Sequence, residues 1–152
     1  MTIASDPITL LSDLSRLIRL EADRRARLHG MTLAQWKILY RVNDEPGLTQ
    51  RQLAELLEVE PITVGRLVDR LEARGLVERR PDASDRRLWR LHLRPGAEPI
   101  LAALDGQRDE IRAVVTRGLD APALAALIRS LQTMKTNIAA YRREPAPVRE
   151  AV

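Results

Sequence analysis

The chain of 152 residues has no cysteine and no phenylalanine, and aromatic residues make up only 3% of it. Without cysteine, disulfides, thiolate catalysis, Cys-type zinc sites and thiol redox sensing are excluded. A core almost free of aromatics must be built from Leu, Ile, Val and Ala, which favours helices over a β-sandwich. No apolar run approaches the roughly 18 residues of a membrane span. The opening Met1-Thr2-Ile3-Ala4-Ser5-Asp6-Pro7 lacks the basic n-region of a signal peptide. The two histidines, His29 and His92, lie far apart, and no metal-ligand spacing includes them. No Gly-rich phosphate loop, nucleophile–base pair or metal cluster is present, so neither catalysis nor a cofactor is expected. Hydrophobic residues at 45% and charged residues at 30% suit one globular domain over 1–152. The expectation is a soluble, cytoplasmic protein.

The charge is uneven. Lys and Arg total 25 against 21 acids, a net of +4, and only Lys37 and Lys135 are lysines. Residues 79–94 hold six arginines (79, 80, 86, 87, 90 and 94) and two acids, Asp82 and Asp85, so the excess is local to them. A local basic patch points to a polyanionic partner, although a solvated charged loop has the same composition.

Periodicity divides the chain into helices around one hairpin. Asp6-Pro7 opens a helix with Leu10, Leu11, Leu14, Leu17 and Ile18 at helical spacing, ending at His29-Gly30. Thr32-Leu-Ala-Gln35 has capping-box form and precedes Trp36, Leu39, Tyr40 and Val42 on one face. A second box, Thr49-Gln-Arg-Gln52, opens a short helix with Leu53, Leu56 and Leu57 as its apolar positions. Pro61 starts the next helix, whose core stripe is Val64, Leu67, Val68 and Leu71 and whose end is Gly75. Short helix, brief turn and longer helix is a helix-turn-helix order. The period then changes to two. Leu76 to Arg80 extends, Pro81 to Asp85 turns, and Trp89, Leu91 and Leu93 form a half-buried return strand. Two further helices follow, the first with Gly106 placed to bend or weaken it, the second carrying Leu124, Leu127, Ile128, Leu131, Met134 and Ile138. The segment from Glu144, charged and Pro-containing, is expected to fray.

In a helix-turn-helix, the second helix lays its N-terminal part along the major groove. Ile62, Thr63, Arg66, Asp69 and Arg70 then face out: Ile62 and Thr63 suit a thymine methyl or a phosphate, Arg66 a guanine edge, Arg70 a base or the backbone. Helical ion pairs among Arg66, Asp69 and Arg70 are the lesser alternative, given the neighbouring hairpin. Thr49, Gln50 and Arg51, at a helix N-terminus, suit phosphate. The hairpin tip with Asp85, Arg86 and Arg87 is shaped for a minor groove, Asp85 orienting a neighbouring guanidinium.

Leu33-Ala-Gln-Trp36 to Leu39, Thr49 to Ala54, Thr63 to Leu71 with Gly75-Leu-Val77, and Asp82-Ala-Ser-Asp-Arg-Arg87 before Leu91-His-Leu93 occur in a telling order. That order and spacing, from about Pro7 to Tyr141, resembles the MarR family of bacterial winged-helix transcriptional regulators. The chain departs from the family's Leu-Thr-x-x-Gly after the hairpin, reading Leu93-Arg94-Pro95-Gly96-Ala97. The resemblance implies a mainly α fold: a winged helix-turn-helix lobe at 32–94, with dimerisation helices at 6–29 and 97–143. It implies a homodimer on a pseudo-palindromic double-stranded DNA operator, usually as a repressor, with Arg87 rather than Arg86 entering the minor groove. It also implies release by a small, often aromatic and anionic, effector. The apolar stripes of 10–18 and 124–138 independently need a partner surface, with Leu14, Ile18, Leu127, Leu131 and Met134 expected in the dimer interface, although part of the two stripes can pack within one chain. Trp36 and Tyr40, where the scarce aromatics cluster, with Arg19 and His29 on the preceding helix, suit an aromatic carboxylate or phenol; Trp36 and Tyr40 equally suit plain packing. The alternative from another class is a winged-helix protein-interaction module docking on an acidic partner. Salt-dependent binding to duplex DNA separates the two.

Overall fold

The computed structural model describes residues 6–143, so the expectations for Met1–Ser5 and for the segment from Glu144 lie outside the described residues. The chain forms two compact units that divide between Arg112 and Ala113.

In the first unit, α1 (Pro7–Leu28) starts on Asp6, whose carboxylate accepts from the Thr9 N–H at 2.8 Å. It ends with Gly30 at φ +65°, a left-handed conformation that glycine adopts without steric cost. Asp23 then accepts from the Leu33 N–H at 3.1 Å, which ties α1 to the first turn of α2 (Leu33–Asp44). Both expected capping boxes form. Thr32 N–H reaches Gln35 Oε1 at 2.9 Å and Thr49 N–H reaches Gln52 Oε1 at 2.9 Å, each answered by a backbone N–H to the threonine hydroxyl. The second box opens α3 (Gln50–Leu57), and α4 (Pro61–Ala73) follows after Glu58, a non-glycine residue at φ +54°. Only Leu53 and Ala54 of α3 are fully buried; Leu56 is 41% exposed and lines a cleft instead.

Val64, Val68 and Leu71 of α4 are buried as expected, with Leu67 packed at the edge of the core. They meet Ile38, Leu39 and Val42 of α2 and Leu53 of α3 in one apolar cluster. Each such side chain contributes roughly 1.5–3 kcal/mol by leaving water. Strands β1 (Val77–Pro81) and β2 (Trp89–Leu93) pair antiparallel, Val77 opposite Leu93, Arg79 opposite Leu91 and Pro81 opposite Trp89. Leu48 and Gly47 bond the other side of β2, through Leu91 N–H to Leu48 O and Gly47 N–H to Leu91 O, both at 2.9 Å. The return strand corrects one expectation. Leu91 is buried and Leu93 half-buried, but Trp89 is 51% exposed, because it pairs with the last residue of β1.

A 3-10 turn, Pro95–Ala97, leads into α5 (Glu98–Val115). A Cβ on Gly96 would stand 3.3 Å from the Gly75 carbonyl oxygen, so glycine at this position lets the hinge pass close to the end of the α4 turn. Helix α5 runs through Gly106 without interruption. In the second unit, α6 (Ala121–Tyr141) starts on Asp120, which accepts from the Ala123 N–H at 2.8 Å, and contains no buried residue. No helix of the described residues is long and apolar enough to cross a membrane.

Candidate nucleic-acid interface

Helix α4 presents Ile62, 66% exposed, together with Thr63, Arg66 and Arg70 on its open face. The alternative for this face, ion pairs among Arg66, Asp69 and Arg70 along the helix, is not what Asp69 makes. Asp69 is taken by Arg79 of β1 at 2.7 Å, and Arg79 also binds Glu72. Arg66 and Arg70 are left without an acidic partner among the described residues. Arg79 thus fastens the hairpin to α4 and removes negative charge from the face where the two free guanidinium groups stand.

The arginines of 79–94 divide by role. Arg80 and Arg94 share Glu78, Arg90 binds Asp82, and Arg79 is committed to α4. That leaves the tip. Arg87 donates from Nε and Nη2 to the two oxygens of Asp85, each at 3.1 Å, while its side chain stays 90% exposed. The Arg87 side chain, and then its backbone N–H, hold the Asp85 carboxyl below the usual carboxylate range. Arg86 has no acidic partner among the described residues. Beneath the tip Asp82 is buried and accepts from the Ser84 hydroxyl at 2.6 Å, from Arg90 Nε and from the N–H groups of Asp85 and Ser84 at 2.9 and 2.8 Å. These bonds, the Ser84 hydroxyl first, hold its carboxyl well below the usual range. Arg90 also donates to Gly47 O at 2.8 Å, which anchors the hairpin to the loop before α3.

At the start of α3 the side chains point mostly inward. The Thr49 hydroxyl caps Gln52, and the Gln50 amide donates to Pro61 O at 3.2 Å and accepts from Arg79 at 3.4 Å. A Cβ on Gly65 would lie 2.9 Å from Gln50 Nε2, so the glycine makes room for this bridge between α3 and α4. Arg51, 86% exposed, makes only an i,i+4 pair with Glu55 at 3.2 Å. With the Thr49 and Gln52 N–H groups taken by the capping box, the first turn offers phosphate the N–H groups of Gln50 and Arg51 and the Arg51 guanidinium.

A cleft of about 570 Å³ lies in the first unit, with Ile18, Trp36, Tyr40, Leu57, Arg108 and Ile111 in its walls. Trp36 and Tyr40 stack with centroids 6.0 Å apart, and the Arg108 guanidinium sits 5.8 Å over the Tyr40 ring. Tyr40 donates to Asp105 at 2.5 Å; burial first, and then this bond, raise its hydroxyl to about 12. The Trp36 Nε1 is buried with no partner among the described residues. Arg19 and His29 do not line the cleft. Arg19 is exposed, and the His29 ring meets Gln107 at 2.8 Å while its carbonyl accepts from Arg74. Of the expected interface residues, Leu14, Leu127 and Leu131 are 43%, 41% and 36% exposed, Met134 is half-buried, and Ile18 faces the cleft.

The MarR family model matches residues 29–88, from the end of α1 to the hairpin tip. The transcriptional regulator PA3341 is 34% identical, with 87% of this chain and 97% of that one covered at a TM-score of 0.76. The chain belongs to the MarR family. MarR itself is 25% identical over 93% of this chain and 97% of its own, at a TM-score of 0.80. A putative MarR family regulator from Listeria monocytogenes, complexed with 26mer DNA, is 18% identical over 90% and 91% at 0.78, a likeness of fold. The helix-turn-helix and its hairpin are therefore a MarR-type winged helix-turn-helix, in a family of transcriptional regulators and not of enzymes.

Sequence reasoning missed three residues of this MarR-type lobe. The sequence offers Asp82 as turn chemistry and as part of the Asp82-to-Arg87 resemblance, Arg79 as part of a basic run, and Arg108 not at all. Asp82 carried a local signal, since an Asp two residues before Ser with Asp after it is Asx-turn chemistry. Arg79 and Arg108 act across 7 to 68 residues, on Glu72 and on the Tyr40 ring, and no local pattern marks them.

Proposed function

We propose that this chain represses transcription by binding a pseudo-palindromic duplex as a homodimer, with 32–94 as its DNA-binding lobe and 6–29 and 97–143 as its dimerisation segments. The observation that carries the reading is the distribution of uncommitted charge. Five of the six hairpin arginines have an acidic partner, Arg87 through Asp85 with its side chain 90% exposed, whereas Arg66 and Arg70 on α4 and Arg86 at the tip have none among the described residues. Arg66 is matched to guanine O6 and N7, Ile62 and Thr63 to a thymine methyl or phosphate, and Arg70 to a base or the backbone. Arg87 enters the minor groove and Arg86 lies nearer phosphate. Thr49, Gln50 and Arg51 hold phosphate through the start of α3, chiefly by backbone N–H groups and the Arg51 guanidinium.

The uncovered stripes support the dimer. Leu10, Leu14 and Leu17 on α1, and Leu127, Ile128, Leu131 and Ile138 on α6, are exposed in the single chain. Covering them with a second copy recovers about 25 cal/mol for each Å² of apolar area removed from water. The cleft supports an effector with an aromatic body and an anionic or phenolic end. Trp36 and Tyr40 form an aromatic wall, and Arg108 supplies the cation. Such a ligand releases DNA only if it binds the two conformations unequally.

Selection from a random duplex pool tests the reading. An inverted repeat, bound by two protomers and weakened by salt, is the expected result; no enrichment, with capture of an acidic protein instead, favours the interaction-module alternative.

A further inference from the structure

Trp89 is one of two tryptophans in the chain, and half of its surface is left open to solvent. Side chains alternate along a strand, so Trp89, Leu91 and Leu93 share a face with their partners Pro81, Arg79 and Val77. Arg79 fixes the direction of that face, since it bonds Asp69 and Glu72 of α4. Leu91 on it is 1% exposed and Trp89 is 51% exposed, one step nearer the tip. The preceding Leu88 is 41% exposed. An indole therefore stands on the α4-facing side of the hairpin, past the last residue that reaches the helix and before Arg86 and Arg87. Arg86 and Arg87 precede it at the tip, and the helix that the face addresses carries Arg66 and Arg70. The opposite face of the hairpin is where Glu78 pairs with Arg80.

A partner that meets this arrangement has to present anionic groups and flat apolar surface side by side. The deoxyribose faces between the phosphates of a duplex do so; an acidic protein surface puts its charges where an indole gains least. We propose that the Trp89 indole is a DNA contact in its own right, packing on the deoxyribose edge beside the groove that the hairpin tip enters. The proposal rests on the regulator reading above. Because the contact is apolar, it releases no counterions, and it adds affinity without adding salt dependence. It also gives the hairpin a depth stop, since a rigid indole at the base of the tip limits how far Arg87 descends.

Acrylamide quenching tests it directly, because Trp36 is 5% exposed and Trp89 is the accessible tryptophan. The probe is the duplex recovered by selection, with saturation verified by band shift on the same sample. The accessible fraction of the emission should fall when the duplex is bound. Trp89→Ala should weaken that duplex about tenfold, with the slope of log affinity against log salt unchanged, and Trp89→Phe should recover most of the loss. Trp36 emission and a thermal melt show that the variant lobe has folded. Equal quenching in the free and saturated protein, or unaltered affinity in Trp89→Ala, overturns the contact and leaves the regulator reading intact. A shallower salt slope in Trp89→Ala also overturns it, since the indole would then be positioning the arginines. Failure to recover any duplex overturns the regulator reading and this contact with it.

Discussion

Asp85 receives Nε and Nη2 of Arg87 at 3.1 Å each, and also the Arg87 backbone N–H at 3.0 Å, although the guanidinium stands almost fully in solvent. The carboxylate sets the direction of the Arg87 guanidinium, and a minor groove receives it already oriented. Arg87→Ala should weaken specific binding by about 1–3 kcal/mol, the scale of one good groove contact. Asp85→Ala should act in the same direction and less, with coupling in the double variant. Operator affinity at fixed salt measures both, and an unaltered value in Arg87→Ala would remove the tip from the interface.

Arg66 and Arg51 should separate base reading from charge neutralisation. Replacing Arg66 by Ala should change which base is preferred at one position in each half-site. Replacing Arg51 should weaken every duplex alike and make the salt slope shallower by about one ion. A panel of mutated duplexes titrated against both variants checks this, and a uniform loss in Arg66→Ala would assign it to the backbone.

Asp82 should make the wing sensitive to acid and insensitive near neutrality. Its folded value lies below the ordinary 3.8. Its stabilising contribution is therefore complete above the unfolded value and lost as pH falls through the folded one. Melting temperature should be flat from this group between about pH 6 and 8 and decline below about pH 4. Asp82→Asn should lower the neutral melting temperature and flatten that acid decline, as read by circular dichroism.

The dimer prediction rests on α6, which buries none of its own apolar stripe. Leu131→Glu or Leu127→Glu should give monomers by sedimentation and lose operator affinity far beyond the loss of any single DNA contact, since the two lobes then bind separately. Full affinity in a monomeric variant would contradict it.

What was legible in the sequence follows from the range over which each feature acts. Thr32 with Gln35 and Thr49 with Gln52 lie three residues apart, and each pairing is as expected from spacing alone; for Asp85 the local reading gives only a neighbouring guanidinium, which the structure shows to be Arg87. The helix boundaries depend on such caps and were close to those observed. Burial was less legible. The alternation of Trp89, Leu91 and Leu93 identifies a shared face, but whether another element covers it depends on where α4 ends against β1. The effector cleft shows the same limit: Trp36 and Tyr40 are one turn apart, whereas Arg108 reaches Tyr40 from α5 and His29 turns to Gln107. The basic run shows it most clearly. Counting arginines gave the patch, yet only the tertiary partners Asp69, Glu72, Glu78 and Asp82 reveal that Arg86 and Arg87 are the ones presented.

Hydroxyl-radical footprinting of the selected duplex tests the central claim most directly. Two copies of α4 set about one helical turn, ~34 Å, apart should leave a two-fold symmetric footprint, with outer minor-groove protections from the hairpin tips. Those outer protections should vanish in the Arg86→Ala, Arg87→Ala double variant while the central ones persist. A single asymmetric protection, or outer protections unaffected by the double variant, would contradict the account.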